Sequence, residues 1–360
     1  MRKTNLIIVA ALLALAVFVP DVLAQDAGLA GAVLIGLNTG MTGAQARVVD
    51  PILTTHSRGY QPRDASYVGR VLFPRGGIQQ RGAKVIRFGK EAFRRYKTRR
   101  APGGDRAVIQ VGYTSDPVNL HQEALDGKVP FEIMADANQV PGIDMGRLAV
   151  NTVLDSFRLE EEFRQAQVAQ AAGNYGDGNK ETLAGNDQWD DYANSDPGTQ
   201  MDDAHEAIRS RTGRRGNVLV LGPKVFLKAK RHPKIVGHFY SGVADAKQTV
   251  SAAQMAEYFN VRQVVSGDAV YLPETAGDDD PFNDVWGDVA VLAFVPETEG
   301  EGSIQVPSYG YTYYLNGYPS VAQAWMDKNN DSWRYPVTDE YNPVLTGMEA
   351  GYLFSDVLST

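Results

Sequence analysis

Five histidines, His56, His121, His205, His232 and His238, are the side chains best suited to acid–base or metal chemistry in this 360-residue chain. Their spacing supports neither. No HExxH pair occurs, and the interval from His232 to His238 does not place both on one helical face. They read as surface or helix-end histidines. The run Asp327-Lys328-Asn329-Asn330-Asp331-Ser332 begins like a calcium loop. Ser332 stands where that loop needs glycine, however, and its twelfth position is Thr338 rather than glutamate, so a polar turn is expected. Asp278-Asp279-Asp280 before Pro281 could gather a cation and reads first as a solvated loop. Gly28, Gly31, Gly36 and Gly40 follow no strand and match neither a dinucleotide fingerprint nor a phosphate-binding loop. No G-x-S-x-G elbow is present. With no cysteine, disulfides, thiolate catalysis and cysteine-ligated metals are excluded. Trp189 beside Asp190 and Asp191 has the residue types of a sugar platform, with a structural loop as the other reading. No catalytic, cofactor-binding or metal-binding residue is expected, and the chain is not expected to be an enzyme.

Charge is the stronger signal. Residues 41–106 hold 15 Lys/Arg against four Asp/Glu, a net +11, whereas residues 107–360 hold 18 against 37, a net −19. Such asymmetry suits either a basic arm for nucleic acid or a basic surface that docks on an acidic one. The acidic surface here is on the same chain, and no aromatic residues are interleaved as a base-stacking module. An oligomer in which one subunit's arm crosses its neighbour's body would use both halves.

The elements that must carry these charges are legible in outline. Arg47 to Pro74 shows no sustained period, as an extended arm would. Ile109, Val111 and Tyr113 alternate with Val108, Gln110 and Gly112, a strand whose partner lies from Lys84 to Phe88 and beyond, with Ala101-Pro102-Gly103-Gly104-Asp105 as the turn. A hairpin with arms of that length reaches beyond its own domain and needs another subunit. Residues 142–172 read as the longest helix. Val150, Val153, Leu154 and Phe157 form its stripe, Met145, Leu148 and Phe163 extend it, and Gly173-Asn174 stops it. Helices and strands then alternate from Leu183 to Tyr318: helices at 201–210, 223–229 and, capped by Ser251, 251–259; strands at 218–221, 263–272 and 288–294. Extended segments close the chain over 337–358.

The N-terminus points elsewhere. Arg2 and Lys3 precede the apolar run Leu6–Val19, then Pro20 and Val22-Leu23-Ala24, which has the form of a secretory signal and is short for a membrane span. Three arrangements fit it: initiation near Met41, a retained apolar arm, or export.

A series of distinct short motifs, none of them an internal repeat, runs through the rest of the chain. They are Asp50-Pro51-Ile52-Leu53-Thr54, Arg58-Gly59-Tyr60, Leu72-Phe73-Pro74, Phe88-Gly89-Lys90-Glu91-Ala92-Phe93 and Ala172-Gly173-Asn174-Tyr175. Further on come Trp189, Ser195-Asp196-Pro197, Arg211-Thr212-Gly213-Arg214-Arg215, His232-Pro233, Val285-Trp286-Gly287, Pro307-Ser308-Tyr309-Gly310-Tyr311 and Gly351-Tyr352-Leu353. Each is weak alone; in this order over residues 45–358 the chain resembles the tailed-phage major capsid protein family, whose fold is shared with encapsulins.

The resemblance implies an α+β tailed-phage major capsid protein fold with N-terminal arm, extended hairpin loop, peripheral domain with a long spine helix, and axial domain. On this chain that places the signal-like segment at 1–40, the arm at 41–75, the hairpin at 76–130, the peripheral domain at 131–182 and 320–360, and the axial domain at 183–319. It implies a coat protein of a virion capsid that self-assembles in the host cytoplasm into homo-hexamers and homo-pentamers of an icosahedral head. Portal and scaffolding or protease proteins, a decoration protein and packaged double-stranded DNA are the implied partners. Contacts between subunits are expected at Arg94, Arg95, Arg99 and Arg100 on the hairpin and at Trp189, Asp190, Asp191 and Asp196 in the acidic loop. Some coats of this family crosslink through a hairpin lysine, and Lys84, Lys90 and Lys97 lie in that region. The alternatives are an encapsulin-like compartment, which needs a cargo enzyme, and an exported envelope or binding protein.

Overall fold

Two sheets joined by one long helix carry the architecture. The computed structural model describes residues 49–60, 67–87, 99, 114–137, 144–240, 248–277, 279–297 and 306–359. The chain divides into the units Met1–Val49 and Asp50–Thr360, and the description concerns the second. The signal-like segment lies outside the described residues. Among those described, no helix is long and apolar enough to cross a membrane.

Several of the sequence motifs are helix boundaries. Helix α1, Pro51–Gly59, starts at Asp50, whose Oδ1 accepts from the backbone N–H groups of Ile52 and Leu53, both at 2.9 Å, and Pro51 sits where no N–H is needed. A short helix α2 spans Gly69–Leu72. Strands β1, Arg75–Ile78, and β2, Gly82–Arg87, follow, then β3, Thr114–Asn119, and β4, His121–Pro130. Strands β2 and β3 pair antiparallel from Gly82↔Asn119 to Arg87↔Thr114. The expected strand from Ile109 to Tyr113 lies outside the described residues.

After α3, Phe131–Ala137, comes the long helix α4, Met145–Gln170, of 26 residues, capped by Asp144. Its length is about 39 Å. Val150, Val153, Leu154 and Phe157 are buried against Val321 and Val337, as their spacing requires. Leu148 departs from expectation: it is 54% exposed, on the same side as Thr152, whose hydroxyl donates back to the Leu148 carbonyl. The expected stop at Gly173-Asn174 is a 3-10 turn, Ala172–Asn174, beginning directly after the helix.

The second half builds a five-stranded sheet in the order β5-β15-β10-β6-β7. Its strands are β5 (Lys180–Thr182), β6 (Val218–Leu221), β7 (Gln263–Ser266), β10 (Ala290–Ala293) and β15 (Gly351–Ser355). Four helices, α5 (Pro197–Thr212), α6 (Pro223–Ala229), α7 (Pro233–Phe239) and α8 (Ala252–Tyr258), contribute to the core on one face. Leu219 and Leu221 of β6 enter that core, while Val218 and Val220 enter the one shared with α2 and the end of α4. Burial on both faces explains why β6 is an unbroken apolar run. Helix α5 begins at Asp196-Pro197 and ends at Gly213, whose φ of 70° is the left-handed stop glycine supplies. Ser251 and Gln254 form a reciprocal capping box on α8. The single strand expected over 263–272 is two, β7 and β8 (Val270–Tyr271), the latter paired with β9 (Asn283–Asp284). A Cβ on the intervening Gly267 would stand 2.3 Å from the Trp286 ring.

The other sheet is built on β14, Ser332–Leu345. Along one side run β11 (Gly310–Leu315), β12 (Ser320–Val321) and β13 (Trp325–Asp327), and along the other lies β4. Strand β1 pairs parallel with β11. Grouping residues 320–360 with the peripheral segment needs correction. Strand β15 is hydrogen-bonded to β10 in the sheet of the central segment, because its apolar run Gly351–Phe354 fills that sheet's buried interior.

Candidate subunit-contact site

The middle of α4 holds Glu160-Glu161-Glu162, a run that normally marks a solvated face. Here Glu161 and Glu162 are both buried. Glu161 receives Arg70 Nη2 at 2.6 Å, Arg75 Nε at 3.0 Å and Arg158 Nη1 at 3.2 Å, and Arg75 Nη2 also reaches Asp339 Oδ2 at 3.1 Å. Burial disfavours the Arg75 charge, yet Glu161 and Asp339 more than offset this and hold its pKa above the ordinary arginine value. Arg81 grips the buried Glu340 through two bonds of 2.6 and 2.7 Å, joined by Gln122. Such bidentate pairs fix geometry as well as charge. Three arginines of the basic segment thus meet acids of the acidic body within one subunit. The charge asymmetry is partly satisfied inside the chain, and not only between chains as expected.

Glu162 gathers three segments. Its Oε1 accepts from Trp286 Nε1 at 2.7 Å and from the N–H groups of Val68 and Gly69 at 3.0 Å, while Oε2 accepts from Gly69 at 2.8 Å. Burial raises its pKa above the ordinary carboxylate value; the hydrogen bonds from Trp286, Gly69 and Val68 oppose this and Glu161 adds to it. Gly69 leaves room for these side chains: a Cβ there would lie 2.1 Å from Gln165 Oε1 and 2.8 Å from Glu162 Oε2, so a larger residue would have to displace them.

The acidic loop is fastened by a histidine. His232 is fully buried and caps α7, its Nδ1 accepting from the Lys234 N–H at 3.3 Å. With Nδ1 an acceptor, the ring proton sits on Nε2 and is donated to Ser195 Oγ at 3.0 Å, which in turn donates to the Asp191 carbonyl at 2.7 Å. Burial, helped by the Lys234 charge and opposed by Asp196, pushes the His232 pKa down to about 4. A histidine already donating to serine cannot take the serine's proton, so this pair is a structural tie and not a nucleophile with its base. His205 is likewise a core residue, hydrogen-bonded to the Phe259 carbonyl at 2.9 Å, and burial lowers its pKa. The expectation of surface or helix-end histidines is corrected for His205 by this burial, and His232 is a helix-end residue that is enclosed.

Among the residues expected at subunit contacts, Arg94, Arg95 and Arg100 lie outside the described residues and Arg99 is exposed. Trp189 needs correction. Its indole is entirely enclosed by its own chain, stacked on Phe259 at 6.0 Å and donating to Gln200 at 2.7 Å, so no neighbour can reach it. Asp190 holds the C-terminal segment, accepting from Ser359 N and Oγ at 3.1 and 2.5 Å. Asp191 closes its own turn by accepting from Ala193, Asn194 and the Asn194 side chain. Asp196 caps α5 and pairs with Lys234 at 3.2 Å. Structure therefore brings the acidic loop together with His232 and the C-terminus. Asp327 accepts from Asn329, Asn330 and Arg334 in the turn between β13 and β14, the polar turn expected there. Lys84 is exposed on β2, and Lys90 and Lys97 lie outside the described residues.

The carboxylates of α4 were missed by sequence reasoning, although a signal existed. Glu161 falls four residues after Phe157 and seven after Leu154, on the apolar stripe itself, and arginines at 70, 75 and 158 were available to meet it.

No family model matches the chain. It is 33% identical over 316 residues to the major capsid protein of Burkholderia phage BcepMu, covering 87% of this chain and 98% of that one. It is 26% identical over 325 residues to the major capsid protein of Pseudomonas phage JBD67, covering 86% and 97%. The crystal structure of a phage-related protein from Bordetella bronchiseptica RB50 is 40% identical and superposes with a TM-score of 0.70 over 87% of this chain and 98% of that one. An encapsulin from Synechococcus elongatus shares the fold alone, with a TM-score of 0.50 at 11% identity over 83% and 91%. An α+β fold common to coats and encapsulins, and 33% identity across nearly the whole length of a phage coat, lead to one conclusion: the chain belongs to the family of tailed-phage major capsid proteins, structural proteins of the virion capsid.

Proposed function

We propose that this chain assembles into homo-hexamers and homo-pentamers that close as an icosahedral shell around double-stranded DNA, in the cytoplasm of the host. The observation that carries this reading is the β2–β3 ribbon. Its strands form a sheet of their own, and among the described residues no third strand joins them. A lone two-stranded ribbon is marginal in water. The foot of this one is fastened. Val118 is buried beside Tyr311 and Tyr313, the Leu120 N–H donates to the Arg81 carbonyl at 3.0 Å, and Arg81 is held by Glu340. A projection rigid at its foot and without a further strand suits a subunit that interlocks with neighbours.

The arm at 41–75, the hairpin at 76–130, the peripheral domain beginning at 131 and the axial domain at 183–319 belong to this proposal, with β15 reassigned to the axial sheet. So do inter-subunit contacts at Arg94, Arg95, Arg99 and Arg100, facing the partly exposed Asp191 and Asp196. Portal and scaffolding or protease proteins and a decoration protein would act on the same particle, and DNA would be held without sequence preference.

Sedimentation and electron microscopy of the purified full chain test the reading. Closed particles of tens of nanometres are expected, enclosing nucleic acid when recovered from the host. Soluble monomers under all assembly conditions overturn it. Particles that hold a protein cargo and no DNA favour the encapsulin-like alternative.

A further inference from the structure

The outer side of β4 presents a strand edge that nothing described occupies. The strand is hydrogen-bonded along β14 on one side, and no described strand pairs with the other. Ala124, Leu125 and Asp126 are consecutive and all exposed, as is Lys128. Successive residues point to opposite faces, so an element lying over this edge would shield some of them. Leu125 is 49% exposed although it stands opposite Val337, which is fully buried. A ten-residue edge that pairs with no described strand on its outer side is a template for another strand.

The side chains select the occupant. Asp126 and Lys128 share a face, and neither forms an ion pair among the described residues. Within the chain, Lys128 stands opposite Arg334, which is engaged by Asp327, and Asp126 stands opposite Pro336. Gly127 lies between them, with its α4-facing side closed by Ala149 at 2.9 Å from a hypothetical Cβ. If a second β4 is laid antiparallel with a two-fold axis at Gly127, Asp126 of each copy faces Lys128 of the other. Leu125 then comes beside Val129 on the opposite face. A parallel arrangement in the same register would put like charges together.

We infer that β4 pairs with β4 of a second copy of this chain across a two-fold axis, making the sheets of two subunits continuous. The contact is isologous, the same patch on both copies, and both charge pairs form at once. It rests on the reading of the chain as a shell-forming coat, since a closed shell of hexamers and pentamers needs contacts between capsomers besides the rotational ones within them, and a two-fold contact is one way to supply these.

Three variants of the full chain decide the matter: D126K, K128D and the exchange D126K/K128D. Each single change places like charges in both pairs, and the exchange restores opposite ones. The singles are expected to lose most of the sedimenting particle fraction while melting like the parent, and the exchange is expected to recover it. Singles that assemble like the parent show that the charges only guard the edge, and overturn the inference without touching the coat reading. An exchange variant as defective as the singles also overturns it. If the parent itself forms no particles, the shell reading fails, and the same four proteins are compared for dimer formation by sedimentation equilibrium. A monomeric parent then overturns the pairing.

Discussion

Trp286 donates its indole proton to Glu162 at 2.7 Å, joining the middle of the long helix to the turn that leads into β10. The same carboxylate holds the backbone at Val68 and Gly69, at the start of α2. One buried charge therefore fixes the segment before the hairpin, the long helix and the central sheet relative to one another. Burying it is costly, and the four hydrogen bonds it accepts are what make the arrangement tolerable.

Replacing Glu162 by Gln keeps the volume but sets an amide donor against a backbone donor. E162Q is expected to lower stability by about 1–3 kcal/mol, and W286F by a similar amount. Their effects should not add, because each breaks the same bond; a double-mutant cycle by urea denaturation measures the coupling. Because the folded carboxyl titrates above its ordinary 4.5, its contribution is fully present below that pH and is lost as pH rises through the folded value. E162Q should remove that slope.

His232 predicts the opposite slope. Its ordinary value is 6.5 and burial pushes it to about 4, so the unfolded chain takes up a proton first. The contribution is present above about 6.5 and is lost as pH falls toward about 4, by up to about 3 kcal/mol, less what solvent screening removes. Urea midpoints measured from pH 7.5 to 4 should fall more steeply for the parent than for H232Q. His205, also lowered by burial, supplies part of the slope that remains. Identical slopes for parent and H232Q would mean that the ring does not stay neutral in the fold.

Gly222 tests backbone packing. A Cβ at this position would lie 1.9 Å from the Gly287 carbonyl oxygen, a backbone atom that cannot swing aside. G222A must therefore part β6 from the turn after Trp286, at a cost of about 3 kcal/mol or more. Thermal unfolding followed by circular dichroism reads the loss. G173A, where no atom lies within 4 Å of the added carbon, is the matched control.

Local rules were enough for the parts of this fold that depend on local rules. Ser251 marks a helix start because capping is decided within four residues, and β6 announces itself because both its faces are buried. The stretch from Arg47 to Pro74, read as an extended arm for want of a sustained period, holds helix α1, which the Asp50-Pro51 cap signals and its mixed composition does not. The helix expected from 201 begins four residues earlier, at Pro197 after the Asp196 cap. Leu148 was misplaced because a stripe of apolar residues does not say where the covering sheet ends. The pairing of β15 with β10 spans some 60 residues and leaves no local mark, so the last strand could not be assigned to its sheet. The Glu161 and Glu162 hub was hidden for a related reason. A carboxylate reads as solvated until the arginines, backbone amides and indole that satisfy it are found, and apart from Arg158 those lie 86–124 residues away.

The basic hairpin carries the last prediction. Arg70, Arg75 and Arg81 are already paired with acids of their own chain, which largely neutralises them as sources of attraction between subunits. The salt dependence of assembly should come mainly from charges not paired within the chain, and Arg99 is exposed. At about 0.15 M salt the screening length is roughly 8 Å, and an exposed pair is worth about 0–1 kcal/mol. One such contact is weak, but a closed shell repeats it over every subunit. Reversing Arg99 and Arg100 to Glu together should slow or abort assembly and flatten or invert its dependence on salt, because the screened attraction is replaced by a screened repulsion, while the melting curve of the unassembled chain stays that of the parent. Direct contact with DNA predicts instead normal empty shells that package poorly. Light scattering during assembly and the nucleic-acid content of finished particles separate the two, and normal shells with normal DNA content would rule out both roles for this pair.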